Sequence, residues 1–123
     1  MYLKNGHFNE IIDEETEPGD FDLKQSQRLS SKAMEFKTGE NIAVIYINTI
    51  VFLKIGKKIM LNTDGWKTNT TKKWINHGLA STGSRYGIEQ KNWQWYLVKY
   101  DWKDRQYQEM SREDYQDNMI INL

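Results

Sequence analysis

Apolar and polar positions divide this chain into short elements, and the clearest signal spans 41–63. Ile42-Ala43-Val44-Ile45-Tyr46-Ile47 is a β-rich run, Asn48-Thr49 breaks or bends it, and Ile50-Val51-Phe52-Leu53-Lys54-Ile55 continues it. Gly56-Lys57 fits a two-residue hairpin turn with glycine first, and Lys58-Ile59-Met60-Leu61-Asn62 reads as the returning strand. Near-continuous apolar character predicts strands covered on both faces, and therefore a helix packed on the sheet.

Asp64-Gly65 makes the next turn. Thr70 suits the N-cap of a helix over about 71–80, with Trp74, Ile75 and Leu79 as its apolar stripe. Gly78 weakens that helix and Ser81-Thr82-Gly83-Ser84 ends it. Tyr86–Gln90 and Trp93–Tyr100 read as a second hairpin about Lys91-Asn92; period two puts Trp93, Trp95 and Leu97 on one face. Leu29, Ala33 and Phe36 fall at helical spacing and predict a short helix within 22–37, ended by Thr38-Gly39. Ser111 with Asp114 three residues later resembles a cap for a helix over about 112–119. The expected fold is a small α+β domain: a mainly antiparallel sheet of two hairpins, one packed helix between them, and short terminal helices. Residues 1–21 read as an acidic N-terminal segment, in which Asp13, Glu14, Glu15 and Glu17 lead into Pro18-Gly19-Asp20. Residues 22–123 read as a single α+β domain with an acidic C-terminal end.

Length supports one domain, because 123 residues are too few for two self-sufficient cores. Without cysteine there are no disulfides, thiol nucleophiles or thiolate metal sites. The two histidines, His7 and His77, are too few for an ordinary histidine zinc site. No apolar run reaches membrane-spanning length, and Met1–Asn5 lacks a secretory pattern. No metal, cofactor or membrane partner is expected, and the localisation expected is the cytoplasm of a bacterial host.

A formal net charge of zero hides an asymmetry. Residues 1–40 hold five bases and nine acids, a net −4; residues 41–100 hold nine and two, a net +7; residues 101–123 hold three and six, a net −3. The two acids of the basic middle are Asp64 and Glu89. The five tryptophans are Trp66, Trp74, Trp93, Trp95 and Trp102. A small chain without disulfides needs such rings for its core, whereas rings beside bases also suit base stacking next to phosphate neutralisation.

The richest candidate segment is 66–74. Trp66, Lys67, Thr68, Thr70, Thr71, Lys72 and Lys73 combine a helix N-terminus, hydroxyls, bases and an aromatic ring. Free helix N–H groups and threonine hydroxyls bind phosphate oxygens, and lysines neutralise their charge. Arg85, Lys91 and Lys99 extend this basic surface if the second hairpin lies beside the helix. The alternative is a capped helix with core tryptophans and solvated lysines. No catalytic set is evident: Ser81, His77 and Asp64 assemble a triad only on paper, without a nucleophile elbow. The chain is therefore expected to act by binding.

One stretch resembles a known group. Leu29-Ser30-Ser31-Lys32-Ala33-Met34-Glu35-Phe36-Lys37, then Asn48-Thr49-Ile50-Val51, Leu61-Asn62, Trp66 and Thr68–Asn76, are similar to a family of small uncharacterised bacteriophage, prophage and plasmid proteins. Its mark is a W-x-T-x-T-T-x-K helix start, here Trp66, Thr68, Thr70, Thr71 and Lys73. Asn48 stands where that family has tyrosine, and Trp74 (or Lys73) where it has histidine. The resemblance implies a mobile-element origin and no particular activity. With the uneven charge it leads to an expected role as a non-catalytic inhibitor of a host defence ribonucleoprotein, of the anti-CRISPR type, that binds the effector protein or its guide RNA. The alternatives are a general single-stranded nucleic-acid-binding accessory protein and a virion or structural component.

Overall fold

The computed structural model describes residues 26–123, so the acidic N-terminal segment lies outside the described residues. Nine strands and one helix follow in the order β1 (Ser26–Arg28), β2 (Ala33–Thr38), β3 (Asn41–Tyr46), β4 (Thr49–Ile55), β5 (Lys58–Leu61), α1 (Asn69–Ser81), β6 (Tyr86–Lys91), β7 (Gln94–Lys103), β8 (Gln106–Asp114) and β9 (Ile120–Asn122). They form two antiparallel sheets: β1-β2-β3-β4-β5-β9 and β6-β7-β8. The protein is mainly β, which corrects the α+β expectation.

Neither expected terminal helix is found among the described residues: 26–28 and 33–38 are strands, and of 112–119 residues 112–114 end β8 while 115–119 form a loop with a turn at 117–118. Ala33 and Phe36, which mimic helical spacing, lie on opposite faces of β2: Ala33 joins the core under α1, and Phe36 joins Ala43, Ile50, Leu53 and Met60 on the other face. Two residues either side of a pleat share this spacing with one helical turn, so a short apolar set cannot decide between them. Pairing with the apolar β3 over six residues settles it. The C-terminal segment likewise takes the strand option as far as Asp114. Residues 106–114 pair along β7, the Arg112 guanidinium lies 5.0 Å from the Tyr96 ring centre, and Tyr115 N–H donates to the Trp95 carbonyl.

The expected strands at 41–62 are present. Asn48 belongs to a tight turn: Ile47 and Asn48 both take left-handed φ values, 45° and 62°, so the run folds into a hairpin. A bulge at Val44/Ile45 lets Val51 and Phe52 both reach the helix side. Gly56 takes φ +59°, as a glycine-first turn requires. The helix starts two residues early, at Asn69, with Thr68 as N-cap: its hydroxyl accepts from Thr71 N–H at 3.2 Å. Trp74, Ile75 and Leu79 are buried as expected.

The main core lies between the first sheet, α1 and the inner face of the second sheet. Phe52, Ile59, Leu61, Ile75, Leu79 and Leu97 are almost wholly excluded from water. Asn76 ties α1 to β6, donating to the Ile88 carbonyl at 3.1 Å and accepting from Ile88 N–H at 2.6 Å. One asparagine thus satisfies both backbone groups of Ile88 on the outward edge of β6, as a residue of a further strand would.

Glu35 ties the helix to β2. Only 3% exposed, it bonds to His77 Nε2 and lies 3.0 Å from Lys37 Nζ. Burial pushes its pKa up, but the bonds from His77 and Lys37 outweigh burial and hold it below the ordinary 4.5. A carboxylate held low stabilises the fold above its unfolded pKa, and that contribution is lost as pH falls through the folded value. Glu35→Gln is therefore expected to flatten the acid limb of stability between about pH 5 and 3. Urea titrations at several pH values check this; an unchanged acid limb would count against it.

Candidate functional site

The loop from Thr63 to Thr68 presents the first candidate residue, Trp66. Asp64 and Gly65 take φ values of 54° and 83°, which turns the chain sharply after β5. Asp117, from the far end of the sequence, clamps the turn. It accepts from Thr63 N–H and Thr63 Oγ1 at 2.9 Å, from Gly65 N–H at 3.3 Å and from the Tyr115 hydroxyl at 2.6 Å. Burial raises the Asp117 pKa, but these donors outweigh burial and hold it below 3.8. Burial and the bond to Asp117 push the Tyr115 phenol well above its usual range. Two backbone bonds fix the next residues: Trp66 N–H to the Thr63 carbonyl at 3.1 Å and Thr68 N–H to the Trp66 carbonyl at 3.0 Å. The result is an indole 71% exposed on an immobilised loop.

Beside it lies a cleft of about 320 Å³, bounded by Trp66 and Ile47 and lined by Tyr46, Thr49, Val51, Thr63, Asp64 and Thr71. Thr71 is buried and its hydroxyl meets that of Thr68 at 3.0 Å. The next helical residue, Lys72, lines a second, shallower cleft with Gln90, Asn92 and Trp93.

Trp93 occupies the β6–β7 turn rather than the core face. It is 92% exposed, and Asn92 and Trp93 take φ values of 53° and 68°. This is the two-residue turn that favours Asn-Gly, and a bulky side chain in its second place is strained. Trp93→Gly is expected to raise stability by about 1 kcal/mol, read as a higher urea midpoint at unchanged m-value; a lower midpoint would contradict the strain.

The expected basic surface is only partly assembled. Thr68, Thr70, Lys72 and Trp66 gather about the start of α1, and Lys91 stands at the end of β6 near the Trp93 turn. Arg85 and Lys99 stand at the opposite end of β6, because Tyr86 pairs with Lys99 whereas Lys91 pairs with Gln94. Five residues of strand separate these rows, roughly 17 Å. Arg85 is bound to Asp101. Three lysines lie against rings of their own chain: Lys67 over Tyr115 at 5.6 Å, Lys73 over Trp74 at 4.8 Å and Lys99 over Tyr86 at 5.4 Å. Glu89 accepts from the Tyr100 hydroxyl, a bond that with burial pushes the Tyr100 pKa up to about 12.

The paper triad does not form. Ser81 Oγ donates to the Gly78 carbonyl at 2.7 Å, His77 pairs with Glu35, and Asp64 lies beyond the other end of α1. Among the described residues no three histidine or carboxylate side chains are grouped to hold a metal, and no helix is long and apolar enough to cross a membrane.

Two features were not visible as sequence patterns. The Asp117 clamp spans 54 positions, and its one local hint is a Thr-Asp-Gly turn that needs an acceptor. The other is the β7–β8 arm. Beyond the end of β6, residues 101–108 form strand pairs with each other alone, and Trp102 and Tyr107 form an edge-to-face pair 5.0 Å apart while 54% and 63% exposed.

A family model described as Kyanoviridae Gp96 protein matches residues 23–122. It supports a phage-protein family, but not the helix-start motif at 66–73 as its mark. No curated protein and no solved structure matches the chain.

Proposed function

Because the chain belongs to the Kyanoviridae Gp96 family of phage proteins, we propose that it is a non-catalytic assembly component of the phage, made in the cytoplasm of the bacterial host. The β7–β8 arm carries this reading. A two-stranded ribbon is marginal in water on its own, yet this one holds Trp102, Tyr107 and a 56% exposed Met110 in solvent. Aromatic side chains and methionine are the types enriched at protein contacts. Glu109, Arg112, Glu113 and the bulge at Lys99/Tyr100 guard the β8 edge against strand addition. The contact therefore uses the Trp102–Tyr107 side chains. The expected result is that mass spectrometry finds the chain in purified particles and that a Trp102→Ser, Tyr107→Ser double variant is incorporated at least about tenfold less, with an unchanged melting temperature. Absence from particles, or undiminished incorporation of the variant, would overturn the reading.

One observation favours a second reading, contact with single-stranded nucleic acid. Trp93 is a strained, exposed ring beside Lys72, a stacking platform next to positive charge. Inhibition of a defence ribonucleoprotein would use this surface on the effector's RNA. Mobility shifts of labelled RNA and DNA across a salt series test it: binding should weaken steeply with salt and vanish in Trp93→Gly. No shift at low salt would remove it.

A further inference from the structure

We propose that the cleft between Trp66 and Ile47 binds a neutral sugar ring, the terminal or exposed hexopyranose of a glycan. Three observations converge on this class of ligand.

The first is preorganisation. The Asp117 clamp and two backbone bonds hold the Trp66 loop, although its indole gains little burial from that order. Order spent on an exposed ring lowers the entropic cost of a later contact. The second is strain. Ile47 faces the same cleft, 52% exposed, at φ +45°. A β-branched residue rarely adopts that conformation, and such outliers gather at ligand sites.

The third is the chemistry of the lining. An indole face is electron-rich and accepts the weakly positive C–H groups of a pyranose face. Tyr46 and Thr49 supply hydroxyls that each donate once and accept twice, which matches the hydroxyls of a sugar, while the buried Thr63 and Thr71 hydroxyls, bonded to Asp117 and Thr68, close the floor of the cleft. Among the described residues no lysine, arginine or histidine lines the cleft, and Asp64 is its carboxylate. That set disfavours a phosphate or carboxylate ligand and leaves a neutral polyhydroxyl one. A volume of about 320 Å³ sits at the small end of ligand pockets and suits one ring.

The test titrates the full chain, ¹⁵N-labelled at the indoles, with methyl glycosides of glucose, galactose, mannose and N-acetylglucosamine, and in parallel with adenosine and cytidine. The indole signal that disappears in Trp66→Ala identifies Trp66. At least one glycoside is expected to shift it, with a dissociation constant of about 1–10 mM. Trp66→Ala should weaken binding at least about tenfold, measured by saturation transfer to the sugar, while Trp93→Gly leaves it unchanged. Because Trp66 is exposed, its replacement leaves the fold intact, which the remaining indole signals verify. The proposal is overturned if no glycoside shifts the Trp66 signal by about 50 mM, if binding survives Trp66→Ala, or if only the nucleosides bind. Sugar binding is read on isolated protein, so its failure is separate from failure of the assembly reading, which is read on particles.

Discussion

Gly78→Ala is expected to destabilise the protein by about 2 kcal/mol, although alanine in place of a helical glycine ordinarily gains about 1 kcal/mol. The reason is the distance between helix and sheet. A Cβ on Gly78 would press on Cγ of Phe52 and lie 2.6 and 2.7 Å from Cδ1 and Cδ2. Phe52 has no exposed surface and sits among Val51, Ile75 and Leu79, so the ring has nowhere to retreat. In a domain of this size the loss corresponds to roughly 10 °C in melting temperature. The mechanism has its own check. In the background of Phe52→Leu the same Gly78→Ala change should cost much less, a coupling that a double-mutant cycle reads directly. Equal costs in both backgrounds would show that the ring contact is not the cause.

Asp117→Ala should cost about 3 kcal/mol, since it strands the Thr63 and Gly65 N–H groups and the Tyr115 hydroxyl at once. Asp117→Asn retains one carbonyl acceptor and should fall between alanine and the parent. The effect has a pH signature. Donors hold the Asp117 carboxyl below its ordinary 3.8, so its stabilisation is complete above that value and is lost as pH falls through the folded pKa. The alanine variant should therefore lose less stability on acidification than the parent. Hydrogen exchange adds a local readout: the Gly65 and Trp66 amides should exchange faster in Asp117→Asn than the amides of β6 and β7. Uniform acceleration would mean that Asp117 supports the whole fold rather than the Trp66 loop.

Much of the molecule was legible in the residues. Ile42 to Leu61 form strands because β-branched runs bounded by two-residue turns have few other uses, and Gly56 takes the positive φ expected of it. Trp74, Ile75 and Leu79 lie on one face of a capped helix, so their burial followed from period 3.6 alone. The phage origin also came through, from a resemblance rather than from physics.

What was not legible depends on residues far apart in sequence. Ala33 and Phe36 are compatible with a helix or a strand, and only pairing with β3 decides. Glu35 meets His77 across 42 positions, and Asp117 meets Thr63 across 54. The basic middle is real as a count, yet Lys67, Lys73 and Lys99 lie on rings of the same chain and Arg85 is paired with Asp101. Tertiary structure also sorts the tryptophans: Trp74 and Trp95 fill the core, while Trp66, Trp93 and Trp102 stay in solvent. The residues by themselves determined the turns at 56–57 and 64–65, the apolar stripe of α1 and most of the strands, because those follow from φ preferences and from periods of 2 and 3.6, whereas the β6–β7 turn sits at Asn92-Trp93, one position past the expected Lys91-Asn92. The partner of each strand, the direction of each indole and the fate of each charge belonged to the tertiary structure, because they depend on which distant residues can reach them once the sheets have closed.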